Sequence, residues 1–163
     1  MILHAGLIAR RAGEFWRGVL VEGQSGSGKS DLALRALAQG WVLVADDQTL
    51  IWADDGRLWG RAPDALAGLI EARGVGVLPA RRLAFAEISL VVRCDATARV
   101  ERMPERAAWS ALGVSLPHLD LAPFEESAAA KLDRALGILD SRTNRRIKRP
   151  ALAESTPDAR GVP

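Results

Sequence analysis

The chain has little cysteine, lysine or methionine and no tyrosine: one cysteine and three lysines stand among 163 residues. A single thiol, Cys94, excludes an internal disulfide framework and a cysteine-based structural zinc site. Apolar runs as long as a membrane span are missing, which excludes a transmembrane helix. The opening MILHAGLIARRAG puts its basic pair behind the apolar stretch, the wrong order for a secretory signal, so a cytoplasmic location is expected. No repeat of twenty or more residues is visible, which argues against a solenoid. A strong charge of either sign is also lacking: 22 basic and 20 acidic residues leave a net charge of +2, too little to imply nucleic acid. What remains is 48% hydrophobic residues in a length that closes one hydrophobic core.

The run Gly18 to Glu22 reads as a buried strand and passes into Gly23-Gln24-Ser25-Gly26-Ser27-Gly28-Lys29-Ser30, too glycine-rich for a strand or a helix interior. From Lys29, Leu32, Ala33, Ala36 and Leu37 recur at helical spacing until Gly40. Trp41–Ala45 is a second apolar run that ends in Asp46-Asp47. Two further runs flank Asp54-Asp55-Gly56 and predict a hairpin. A short helix is expected over Asp64–Ile70, a loop from Glu71 leading into an extended piece, a strand over Ile88–Cys94, a partly helical stretch over 97–106 and a helix over Glu125–Asp140. Residues 1–141 are expected to form one domain and 142–163, which begins RTNRRIKR, a basic, disordered tail.

Gly23, Gly28, Lys29 and Ser30 satisfy G-x-x-x-x-G-K-[ST]. Glycines at this spacing let consecutive amides curl around a polyphosphate while the next helix points its positive end at it. Lys29 then reaches the β and γ phosphates from an exposed position, and the Ser30 hydroxyl is placed to ligate Mg²⁺. Asp46 and Asp47 close the neighbouring apolar run, and ligands in open α/β sheets bind at the carboxyl ends of strands. A division of labour follows, with one carboxylate toward the metal or its waters and the other taking the proton of an acceptor hydroxyl. A solvated strand end is the plainer account of an Asp pair taken alone. Glu71-Ala72-Arg73-Gly74-Val75-Gly76 sets an acid, a base and two glycines together, which by itself is most simply a loop ion pair.

The phosphate loop, L-V-A-D-D and L-I-E-A-R-G-V-G-V-L together resemble the HPr kinase/phosphorylase family, and more narrowly its C-terminal catalytic domain in a short bacterial form. The resemblance is strong over residues 1 to about 80 and thin beyond. It implies an α/β, P-loop kinase-type domain with a central mixed sheet, an ATP site over Gly23–Ser30 (Gly23, Gln24, Ser25, Gly26, Ser27, Gly28, Lys29, Ser30), and Ser30 and Glu71 as Mg²⁺ ligands. It further implies Asp47 as proton acceptor with Asp46 beside it, Lys29 acting on the transferring phosphoryl group, and Arg73 in the catalytic set. His4 matches a family histidine on the strand before the loop, although four extra residues around Arg10 to Arg17 lengthen the connection. The implied activity is a serine kinase acting on an HPr-type phosphocarrier protein in phosphotransferase-system regulation, with no nucleic-acid or membrane partner and a homo-oligomer, a hexamer in the family. A kinase of small metabolites and a non-catalytic nucleotide sensor are the alternative readings.

Two departures stand out. Ala111 precedes Leu112-Gly113 where the family has an arginine, and Arg102 or Arg106 are the nearest candidates to replace it. Pro123-Phe124-Glu125-Glu126-Ser127 falls where the family has a basic loop; an acidic loop repels inorganic phosphate, which puts the phosphorylase half of the chemistry in doubt. The five tryptophans are expected in core or interface packing rather than base stacking, and Cys94 as an inert buried thiol.

Overall fold

A computed structural model describes residues 1–95 and 107–147 of the chain, with side-chain surroundings up to 139. Eleven strands and two helices follow in the order β1 (Ile2–Leu3), β2 (Gly6–Ala12), β3 (Phe15–Glu22), α1 (Lys29–Ala38), β4 (Val42–Ala45), β5 (Thr49–Asp54), β6 (Arg57–Arg61), β7 (Leu69–Ala72), β8 (Gly76–Pro79), β9 (Ala86–Cys94), β10 (Ala107–Ala111), β11 (Val114–Leu121) and α2 (Ala128–Ile147).

Nine strands make one sheet that is mixed, as expected: β3 and β11 pair parallel to β9, and the other pairs are antiparallel. β9 is the hub. One edge pairs with β3 along Glu87–Arg93, while the other pairs first with β6 through Ala86–Ile88 and then with β11 through Val91–Cys94. Strand alternation sends Ile8, Val19, Val21, Leu90 and Val92 to one face, where they pack against Leu32, Ala33 and Ala36 of α1 and Ala128, Ala129 and Leu132 of α2. Leu7, Leu20, Val44, Ile88 and Val91 point the other way, into a second cluster with Ile51 and Leu58, and Trp109 and Leu116 of the β10–β11 hairpin pack against it. The sheet therefore curls over its own helix-free face.

Direction matters more for function than curl. β3, β9 and β11 run in parallel, and β4 shares their sense because it is antiparallel to β2, which is antiparallel to β3. Four carboxyl ends, at Glu22, Ala45, Cys94 and Leu121, thus converge on one rim.

Several local expectations hold. Asp55 and Gly56, with φ of 47° and 69°, form the tight turn between β5 and β6. Arg10–Arg17 proves to be the tip of the β2–β3 hairpin, where Arg10 pairs with Arg17. Other expectations are corrected. Only Asp64–Leu66 is helical in the stretch 64–70, as a single 3₁₀ turn; Gly68 at φ 79° breaks it and Leu69–Ala72 is strand. The expected loop from Glu71 is a hairpin instead, with β7 antiparallel to β8. A second hairpin, β10–β11, was not legible; its turn is Leu112-Gly113, both at positive φ. The last helix begins at Ala128 rather than Glu125 and runs to Ile147, so the start of the expected tail continues it. The stretch 97–106, with Arg102 and Arg106, and the tail from 148 lie outside the described residues.

Candidate functional site

A cleft of about 380 Å³ opens on the rim where the four carboxyl ends meet. His4, Ser25, Gly26, Gly28, Lys29, Ser30, Asp47, Glu71 and Arg73 line it, so segments scattered over seventy residues of sequence meet in one place. Asp31, Leu34, Ala72, Val75 and Phe124 complete the walls.

The glycine loop leaves β3 at Glu22 and delivers Lys29 into the first turn of α1. Gly28 caps that helix at φ 91°, a backbone shape that side chains rarely adopt. Lys29 Nζ donates to the carbonyl oxygens of Gly23 (2.9 Å) and Gln24 (3.0 Å), folding the ammonium into the concave side of its own loop. The residue is only 8% exposed, not solvent-directed as its position in the sequence suggests. Ser27 Oγ, in the same loop, is buried and has no hydrogen-bond partner. A buried hydroxyl without a partner, an ammonium resting on carbonyls and a helix N-terminus together suit an anion with several oxygens.

The two aspartates take different partners. Asp46 is largely buried: Oδ1 accepts the Ser30 hydroxyl at 3.0 Å, and Oδ2 accepts the Glu71 amide at 2.9 Å. Asp47 turns away at φ 64°, with the Gln48 amide closing onto the Asp46 carbonyl at 2.7 Å around it. Its Oδ1 lies 3.1 Å from His4 Nδ1, and the two side chains are 58% and 54% exposed. His4 occupies the bend between β1 and β2 rather than the strand before the loop; because β2 is antiparallel to β3, its amino end meets the carboxyl ends of the others. Glu71 and Arg73 come from β7 and the turn that follows it, where the Val75 amide closes on the Ala72 carbonyl.

The carboxylates at Asp46, Asp47 and Glu71 outnumber the cations Lys29 and Arg73, and a divalent cation would redress that balance. Ser30 Oγ and the Asp46 and Glu71 carboxylates are hard oxygen donors of the kind Mg²⁺ takes. Among the described residues no group of three or more His, Cys, Asp or Glu side chains is placed to hold a metal ion by itself.

Two residues that sequence reasoning passed over shape the site. Arg35 of α1 holds the segment after β11, donating to the Glu125 carbonyl at 3.1 Å and to the Pro123 carbonyl, while also pairing with Asp31. Phe124 is the member of that segment that faces the cleft. Glu125 and Glu126 do not line it, and the Glu125 carboxylate pairs with Lys131. The acidic repulsion expected here is therefore corrected: the sequence placed the segment rightly but not its side chains, whose direction depends on Arg35, 88 residues away from Pro123. Ala111 is packed against the second core and does not line the cleft. None of the five tryptophans lines it either; Trp41 is buried, and Trp52 and Trp59 meet Phe85 edge-on. Burial pushes the Cys94 thiol up to about 12, the behaviour of an inert core thiol.

The architecture and the cleft define a mixed α/β domain with a curled central sheet and a glycine-loop cleft on its carboxyl rim. Residues 14–122 match the model of the HPr Serine kinase C-terminal domain, and the chain belongs to that family. It is 48% identical over 62 residues to an HPr kinase/phosphorylase of Streptococcus thermophilus and 39% identical over 99 residues to one of Bordetella pertussis. Those alignments take in 37% and 53% of this chain but only 20% and 32% of the relatives, so the chain spans well under half of the curated proteins it matches. The solved Hpr(Ser) kinase/phosphatase from Coxiella burnetii has the same fold, with a TM-score of 0.72 at 18% identity over 92% of this chain and 99% of that one.

Proposed function

We propose that the chain is the catalytic domain of an ATP- and Mg²⁺-dependent protein serine kinase whose acceptor is an HPr-type phosphocarrier. The observation that carries the reading is Asp47: a carboxylate in the cleft with the phosphate loop, backed by His4, yet more than half exposed. A base for a small metabolite works best enclosed, whereas a serine on a folded protein needs a base at the rim.

In this scheme the Asp47 carboxylate takes the acceptor hydroxyl proton as the serine oxygen forms its bond to the γ-phosphorus. The bond from that phosphorus to the β,γ-bridging oxygen breaks, and ADP leaves. Lys29 lets go of the Gly23 and Gln24 carbonyls to hold the β and γ phosphates, and Ser27 Oγ gains its missing partner. Ser30, with Asp46 and Glu71, would hold Mg²⁺, which would supply charge neutralisation to the phosphates. Arg73, which also lines the cleft, offers its guanidinium to charge developing on the transferred group. His4 orients Asp47.

The reaction is proposed to run as a kinase with little phosphorolysis. Inorganic phosphate entering as a nucleophile needs added cations, and among the described residues Lys29 and Arg73 are the only lysine and arginine that line the cleft. A homo-oligomer in the cytoplasm is proposed as the working form; among the described residues no helix is long and apolar enough to cross a membrane. The test is transfer from γ-labelled ATP to HPr-like proteins of the source organism. Label on a serine, lost with Asp47→Asn, is the expected result; turnover of ATP with a small metabolite and none with any phosphocarrier would overturn the assignment.

A further inference from the structure

Phe124 combines two properties that rarely go together. The residue is 59% exposed, yet the backbone that carries it is held on both sides. Arg35 grips the carbonyls of Pro123 and Glu125, the residues that flank it. The ring also lies so close to the phosphate loop that a Cβ added at Gly28 would stand 2.9 Å from Phe124 Cζ and 2.9 Å from Pro123 Cγ. A core phenylalanine would be covered, and an incidental surface one would not be clamped.

Topology says which end of a ligand meets this ring. The strand order β11-β9-β3-β2-β4 puts the loop-bearing β3 in the middle. Asp46 and Asp47 arrive from β4, two strands to one side, and Phe124 from the end of β11, two strands to the other. In a loop of this type Lys29 and Ser30 face the β and γ phosphates and the metal, so the terminal phosphate lies toward Asp47. The α-phosphate and nucleoside then leave in the opposite direction, over Asp31 and Leu34 of α1, toward Phe124. Among the described residues it is the one Phe, Trp or Tyr side chain lining the cleft.

We propose that Phe124 is the platform on which the nucleobase stacks, an inference that rests on the nucleotide reading of the cleft. A ring face attracts any purine and carries no hydrogen-bond code, so the platform grips the base without choosing it, and ATP and GTP should bind with similar affinity.

The experiment compares the affinity of the full chain, with Mg²⁺, for ATP, GTP and inorganic tripolyphosphate, in the wild type and in Phe124→Ala, Phe124→Leu and Phe124→Trp. Tripolyphosphate has the phosphates without the base. Phe124→Ala and Phe124→Leu are expected to weaken ATP and GTP about tenfold or more and leave tripolyphosphate unchanged, with Phe124→Trp retaining both. An equal loss for tripolyphosphate would mean that the ring only buttresses the loop, and an unchanged ATP affinity that it does nothing; either overturns the platform while leaving the nucleotide site intact. A wild-type chain that binds neither ATP nor tripolyphosphate would instead overturn the nucleotide reading itself, and the platform with it.

Discussion

Ser30 donates its hydroxyl to Asp46 at 3.0 Å, joining the first turn of α1 to the end of β4 across sixteen residues of sequence. The other oxygen of the same carboxylate holds the Glu71 amide, so one buried side chain ties three segments of the cleft together. Asp47, its neighbour, pairs among the described residues with His4 alone.

The adjacent aspartates should therefore separate in a mutational test. Asp46→Ala leaves the Glu71 amide and Ser30 hydroxyl without their acceptor and is expected to cost about 1–3 kcal/mol of stability in urea denaturation. Asp47→Asn keeps a residue that tolerates positive φ and should hold its stability, while turnover falls by about 10² to 10⁴ and ATP affinity changes little. Equal stability losses in the two variants would contradict the division.

Lys29→Ala is expected to abolish measurable ATP binding by calorimetry and leave unfolding cooperative. The loss of stability should be small, about 1 kcal/mol, because water can reach the Gly23 and Gln24 carbonyls once the ammonium is gone. Nucleotide affinity unchanged from wild type would sink the phosphate-loop assignment.

Glu71→Gln replaces a carboxylate with an amide, a poorer ligand for a hard cation. The Mg²⁺ concentration giving half-maximal phosphotransfer should rise, while the backbone bond from residue 71 to Asp46 persists. A shift in ATP affinity at saturating Mg²⁺, with no change in the Mg²⁺ requirement, would remove Glu71 from the metal site.

Cys94 predicts how stability responds to alkali. Burial raises its thiol from 9.0 to about 12, with Lys29 and Arg35 opposing the rise. The unfolded chain releases this proton near pH 9 and the folded chain holds it, so the unfolded state is progressively favoured as pH climbs from 9 toward 12. The contribution approaches about 1.4 kcal/mol per pH unit. Cys94→Ala should flatten that part of the profile, and thiol reagents at pH 8 should label the protein only after denaturant is added.

The division between what was legible in the chain and what was not follows the range of the interactions involved. Gly23–Ser30, the helix from Lys29, the Asp55-Gly56 turn and the apolar run into Asp46-Asp47 all depend on spacing within a few residues, and so were readable directly. The helix expected over Asp64–Ile70 failed because β7 owes its strand to β8 and to the Asp46 carboxylate, partners that local propensity does not register. The burial of Lys29 depends on where its own loop carbonyls turn, and the place of His4 on the strand sense of β2. Phe124 is the clearest case: its letters suggested an acidic loop, and only the parallel pairing of β11 with β9 and the reach of Arg35 turn the ring to the cleft and the glutamates away. Sequence by itself determined which chemical groups the chain owns and the short segments that present them. Tertiary structure alone decided which of those groups share a rim, because strand order and direction are set by pairings among residues far apart in the chain.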